Sequence, residues 1–233
     1  MTNVLMIVSG ADHWTLNDGT THPTGFWAEE LVMPYSIFSD AGWDITVATP
    51  SAKVPVVDEV SLQKGAGDPA TLETVEKLLE EILPVLQNPT ALEDVDADEY
   101  DVVFYPGGHG PMEDLAVDET SGRILAGRLA SDRPVALLCH APAAVLATAD
   151  AEGHSPFAGR RMTGFSNAEE QAGGLAEKAK WLLEDRLVEL GVGYEKADEP
   201  YAPHVVVDGN LYTGQNPASS ESLARELVKD LTR

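Results

Sequence analysis

Hydrophobic and polar positions along this chain switch between two periods, and the switches divide it into elements. Val4 to Val8 is a continuous apolar run, short enough for a strand buried on both faces. Ser9-Gly10 ends it, and Ala11 to Thr24 follows as a polar loop holding Asp12, His13, Trp14, Asp18 and His22. A loop of that length after a first strand is expected to form a pocket wall. Trp27, Leu31, Pro34, Phe38 and Ala41 then keep helical spacing up to Gly42. Pro34 removes the N–H partner of the Glu30 carbonyl, so a bend is expected there. Trp43 to Ala48 alternates as a second strand and stops at Thr49-Pro50.

Residues 51 to 70 carry Pro55, Gly65, Gly67 and Pro69 and show no period. Leu72, Val75, Leu79, Ile82 and Leu86 mark an amphipathic helix, ended by Asn88-Pro89 and followed by an acidic turn region over 90 to 100. A stretch as long as 51 to 98 exceeds a simple crossover, and it reads as a small inserted cap. Asp101 to Tyr105 is the next strand and runs into Pro106-Gly107-Gly108-His109-Gly110-Pro111. A helix over Ser121 to Ala130 precedes the strand Val135 to Leu138, which leads directly into Cys139-His140 and a helix to about Thr148. Arg161 to Phe165 is a short strand, with Ser166 to Gln171 as a polar loop or helix start. Leu175 to Leu190 is a helix ended by Gly191. Val192 to Ala197, His204 to Val207 and Leu211 to Thr213 are strands, the last two joined at Asp208-Gly209-Asn210. Asn216 as N-cap and Pro217 as first helical residue open a final helix with Leu223, Leu227 and Leu231 inward.

Alternating strands and helices predict an α/β fold: a doubly wound, mostly parallel sheet with helices on both faces. Neither a repeat nor a linker divides the chain, so residues 1 to 233 read as one domain with the cap at 51 to 98. Charge narrows the partners. Asp and Glu number 39 against 15 Lys and Arg, for a net charge of −24, which repels nucleic acid and anionic lipid. No apolar stretch approaches membrane-spanning length, and Met1 to Val8 reads as a first strand rather than a signal peptide. The single cysteine excludes an internal disulfide and fits a reducing cytoplasm.

That cysteine changes the picture from fold to chemistry. Where a parallel strand runs straight into a helix, Cys139 sits at the corner, and the helix N-terminus offers positive potential to a thiolate. His140 at the same elbow is a candidate base. Gly107 to Gly110 ends another strand, and its backbone N–H groups suit an oxyanion pocket. Two acidic pairs follow strands at the same edge, Glu29-Glu30 and Glu169-Glu170. One carboxylate can orient His140, and another, if desolvated, can hydrogen-bond the thiol. The six histidines show no HxH or HxxxH pair, so no metal site is expected, although a loop site at His13 or His22 stays open. Dinucleotide and P-loop fingerprints are absent from the sequence.

Strand–Cys139-His140–helix, Gly107 to Gly110, Thr24-Gly25 with Glu30 before Pro34, Thr163-Gly164-Phe165 with Glu170, and Thr213 to Ser219 occur in an order that resembles the PfpI / parkinsonism-associated deglycase superfamily. The segment 51 to 98 and the Asn216-Pro217-Ala218-Ser219 ending look like its glyoxalase III and heat-inducible chaperone branch. The resemblance implies a class I glutamine amidotransferase-like, flavodoxin-like fold and a homodimer. It implies Cys139 as nucleophile, His140 as acid/base, Glu170 orienting His140, and Glu30 as the buried carboxyl at the thiol. Gly108 and the His140 backbone would form the oxyanion pocket, with Glu29 and Glu169 as the alternatives in each acidic pair. The metal ligands of some chaperone members have no counterpart in this sequence. The expected activity is a cofactor-independent glyoxalase acting on a small reactive aldehyde such as methylglyoxal. A stress holding chaperone or deglycase, and a cysteine amidase or peptidase, are the alternatives.

Overall fold

In the computed structural model, which describes residues 2–232, the apolar runs become the inner strands of one sheet. The elements, in order, are β1 (Asn3–Ile7), β2 (His13–Thr15), β3 (Thr21–Pro23), α1 (Ala28–Asp40), β4 (Asp44–Thr49), α2 (Pro69–Leu86), β5 (Thr90–Ala91) and β6 (Val102–Tyr105). Then come α3 (Gly110–Glu113), α4 (Glu119–Ala130), β7 (Val135–Leu138), β8 (Arg161–Met162), α5 (Asn167–Ala172), α6 (Leu183–Glu189), β9 (Gly193–Tyr194), β10 (Val205–Asp208), β11 (Leu211–Gly214) and α7 (Ser220–Leu231).

Seven strands form the central sheet in the order β10-β11-β7-β6-β1-β4-β5. All neighbours are parallel except the antiparallel pair β10 and β11. Val4 to Val8 and every residue of β6 and β7 are fully buried, as strands covered on both faces require. Helix α1 packs against α2 and α7, whereas α3, α4 and α6 pack against the 3-10 stretch Ala141–Thr148 that follows β7. The two groups flank the sheet. From β1 the chain moves outward through β4 to β5, then returns to β6 and moves the other way through β7. The crevice beyond the carboxyl ends of β1 and β6 is therefore the switch point at which open α/β sheets hold ligands.

Several sequence expectations are corrected. The loop 11–24 contains a small hairpin, β2 paired with β3. The helix expected over Leu175–Leu190 forms only from Leu183, because the hairpin claims the backbone before it: Asn17 donates from N to the Lys178 carbonyl and from Nδ2 to the Glu177 carbonyl. The stretch Arg161–Phe165 pairs only through Arg161–Met162, with β9 and outside the central sheet. The strand expected over Val192–Ala197 is reduced to Gly193–Tyr194. Part of the 90–100 turn region, Thr90–Ala91, extends the sheet edge beside β4. Asn216 is no side-chain cap; its amide turns inward to Glu169. Met1 of the first strand lies outside the described residues.

Candidate active site

The site begins with a backbone that cannot relax. Cys139 has φ 58, the left-handed region, at the turn from β7 into Ala141–Thr148. Its N–H donates to the Gly214 carbonyl at 2.9 Å, and its own carbonyl accepts from Phe165 N at 2.8 Å. Neighbouring strand and loop thus hold a conformation that costs a non-glycine residue about 1–2 kcal/mol. The result is a side chain lifted out of the sheet's carboxyl edge into a cavity.

His140 follows, almost fully buried, with Nδ1 3.2 Å from Cys139 Sγ. Its Nε2 lies 2.8 Å from Glu170 Oε2. The second oxygen of Glu170, Oε1, is 2.9 Å from Nε2 of His109. Burial works against the Glu170 charge, yet hydrogen bonds from His109 and His140 outweigh it and hold the carboxyl well below the usual carboxylate range. Burial, and then the neighbouring His109, push His140 down to about 4 against the pull of Glu170. At neutral pH the pair is therefore carboxylate and neutral imidazole. An ionised Glu170 only accepts, so Nε2 of His140 carries the proton and Nδ1 turns its lone pair to the thiol.

Glu30 meets the sulfur from the other side. It is fully buried near the start of α1, and its Oε2 accepts from Gly107 N at 3.0 Å. Burial pushes it up to about 8, against the hydrogen bond to Cys139. Burial also pushes the Cys139 thiol well up, and a charged Glu30 would push it further, while the Gly108 N–H favours the thiolate. The sequence expectation that the following helix draws Cys139 into the thiolate form is thereby corrected: desolvation wins, and the sulfur waits protonated for its base. Gly107 can approach this closely only without a side chain, since a Cβ there would lie 2.5 Å from the Leu138 carbonyl oxygen and 2.6 Å from Glu30 Oε2. Gly108 has φ 94, and a Cβ would lie 2.4 Å from the Gly25 carbonyl oxygen.

The geometry sorts the acidic pairs. Glu30 and Glu170 face the cysteine and histidine. Glu169 is structural: it accepts from Ser166 N, Ser166 Oγ and Gln215 Nε2 on one oxygen, and from Tyr201 N and Asn216 Nδ2 on the other. Glu29 lines the cavity, and burial, then Asp68 and Glu221, push it up to about 7. The cavity measures about 900 Å³ and reaches from Cys139, Gly108 and His140 out to Lys64 and Asp68, between β4 and α2. So the stretch from Asp58 to Thr71 supplies one wall.

His109 was the residue missed. It stacks on Trp14 with ring centroids 4.9 Å apart, lies 4.0 Å from the His140 ring, and meets His22 edge-on at 6.3 Å. The signal was present, because the glycine-rich loop after β6 carries this histidine to the same sheet edge as Cys139. His109, half-buried, and the buried His140 and Glu170 have donor atoms within 4.8 Å of one another. Their mutual hydrogen bonds account for that spacing. His13 instead pairs with Asp12 at the surface.

Known proteins share this arrangement of chain. The profile of the DJ-1/PfpI family matches residues 22–230. The protein/nucleic acid deglycase HchA of Staphylococcus aureus (strain Newman) is 30% identical over 239 residues, covering 98% of this chain and 79% of its own. Among solved structures, the Rapid Encystment Protein 24 KDa of Francisella tularensis superposes with a TM-score of 0.86 at 30% identity, covering 99% of both chains. Glyoxalase III of Candida albicans shares the fold with a TM-score of 0.83 at 24% identity, covering 98% of this chain and 96% of the other.

Proposed function

This chain belongs to the DJ-1/PfpI family, and from that premise we propose that it is a glutathione-independent glyoxalase converting methylglyoxal to lactate and glyoxal to glycolate. A deglycase activity is what the HchA relatives support. The observation that carries the finer reading is the neutral His140, with Nδ1 3.2 Å from the only sulfhydryl and a protonated carboxyl, Glu30, beside it. Such a centre has a nucleophile, a base and a second acid, and needs no external thiol.

In this mechanism Cys139 Sγ bonds to the aldehyde carbon as its proton passes to His140 Nδ1, which returns it to the new hydroxyl. The developing oxyanion meets the Gly108 and His140 backbone N–H groups. His140 then takes the hydrogen from the same carbon. The electron pair moves toward the neighbouring carbonyl, whose oxygen takes a proton from Glu30 to give an enediol. His140 returns its hydrogen to the second carbon while the hydroxyl of the first gives its proton to the Glu30 carboxylate, which leaves a thioester on Cys139 and both residues reset. Water breaks it, releasing the hydroxy acid and restoring the thiol. One water is consumed, and the oxidation of one carbon balances the reduction of the other.

The test is lactate formation from methylglyoxal by purified protein without glutathione. Turnover that falls on the order of 10³-fold in Cys139→Ala is expected; no turnover, or turnover indifferent to that change, overturns the proposal. The cavity favours one second reading. At about 900 Å³ it far exceeds methylglyoxal, and Glu29 and Asp68 at its wall suit a cationic group. An aldehyde adduct carried on a basic side chain would fit, which is deglycase chemistry at the same cysteine. Release of methylglyoxal equivalents from a treated arginine peptide distinguishes the two.

A further inference from the structure

Glu170 holds two histidines, one on each oxygen, and the reaction proposed above uses only His140. We propose that His109 is a positioning residue of the reaction centre: its Nε2–H occupies the free oxygen of Glu170, fixes the carboxylate plane, and so holds His140 with Nδ1 toward the thiol.

Three observations carry this. The two Nε2–Glu170 distances, 2.9 and 2.8 Å, are nearly equal, so the carboxylate is clamped from both sides rather than swinging about one bond. Trp14 stacks on the outer face of His109 and Phe165 meets it edge-on, so the ring has little freedom to leave. The His109 side chain is only 12% exposed, and it lies along the cavity wall next to the ring whose tautomer it controls. Without it, Glu170 Oε1 would be a buried acceptor with no donor, and the carboxyl would rotate or take up a proton. Either change releases His140 Nε2–H and with it the orientation of Nδ1. The titratable groups facing this pair are His22 from β3, Glu169 and Glu170 from α5, and Cys139 with Glu30 behind it. Burial and His109 depress His140, so loss of the second histidine moves its protonation to higher pH.

The inference rests on Cys139 and His140 acting together, not on the identity of the aldehyde. The test therefore reads the thiol directly. Cys139 is the only cysteine, so iodoacetamide alkylation of the native protein, followed by mass against pH, reports one site. His109→Gln keeps an N–H near the ε position, and His109→Phe keeps the ring on Trp14 without a donor. Alkylation at pH 7 is expected to slow about tenfold in the Phe variant and to stay within about twofold in the Gln variant. The acid limb of the profile should move up in Gln, where Glu170 stays held, and less in Phe, where the released Glu170 no longer supports the His140 charge. With methylglyoxal, kcat should fall and KM hold in the Phe variant, with recovery in Gln. An unchanged Phe profile, or a Gln variant no better than Phe, overturns the proposal. Should the Phe variant fail to fold, imidazole ¹⁵N shifts of the unmodified protein decide: both His109 and His140 must be Nε2–H tautomers at pH 7, and an Nδ1–H form of either overturns it. Absence of methylglyoxal turnover leaves the alkylation and ¹⁵N results standing, so failure of the substrate reading and failure of this one are separable.

Discussion

Glu30 gives the clearest pH signature of any single residue. An unfolded carboxyl titrates near 4.5, and burial raises the folded one to about 8. Its contribution to stability is thus complete below 4.5 and declines as pH rises through 8. Glu30→Gln keeps the acceptor for Gly107 N and removes the titration. Its stability relative to the unmodified protein is expected to improve by about 4 kcal/mol between pH 5 and 8.5 in urea unfolding, while turnover falls at least about 100-fold. His140 runs the other way: held near 4 against 6.5, it costs stability as pH falls through that window. Glu169→Gln places an amide N–H against donors that a carboxylate satisfies, and should cost about 2–3 kcal/mol by the same measurement. The neighbouring glutamates show how far the sequence could be read. Cys139 and His140 were singled out by the strand–elbow–helix pattern, and Glu30 and Glu170 were named by the family resemblance alone. The residue pattern did not show which member of each acidic pair meets Cys139 or His140, since adjacent helical residues point about 100° apart and only packing fixes the direction. His109 escaped because its role depends on Glu170, 61 positions away.

At the level of elements, α1 is held by a strap from the stretch between β4 and α2. Trp27 offers no side-chain cap, and Ala28 N donates instead to Ser61 Oγ at 3.1 Å. Asp58 orients that strap: its side chain accepts from Thr24 Oγ1 at 2.7 Å and from Val60 N at 2.9 Å. Phe26 N and the Val56 carbonyl complete the clamp at 2.9 Å. Ser61→Ala is expected to cost about 1 kcal/mol and to speed amide exchange across residues 26–31. Because Glu29 and Glu30 open the same helix, kcat should fall with it. Strands with continuous apolar runs were legible because burial on both faces leaves no other pattern. The short pieces were not: the β2–β3 hairpin and the shortened helix α6 depend on each other through Asn17, a contact across some 160 positions that no local period records.

For the whole molecule, the net charge of −24 sets the terms. Self-repulsion opposes compaction, and salt screens it. The thermal midpoint is expected to rise by a few degrees, about 3 °C, between 20 mM and 0.5 M NaCl; an unchanged or lower midpoint would show the charges already balanced within the fold. No helix among the described residues is long and apolar enough to cross a membrane. The fold class follows from the alternation read along the chain, and the Asp208-Gly209-Asn210 turn marked the paired edge strands β10 and β11; the order of the other strands is set by long-range pairing that no local period records. The buried, solitary sulfhydryl also makes the molecule its own stopwatch. A bulky maleimide that cannot enter the cavity labels Cys139 only when the surrounding structure opens, so its labelling rate in unperturbed buffer counts those openings. Comparing that rate with and without an aldehyde in the cavity would read ligand binding as lost time in the open state, with no dye, tag or engineered site.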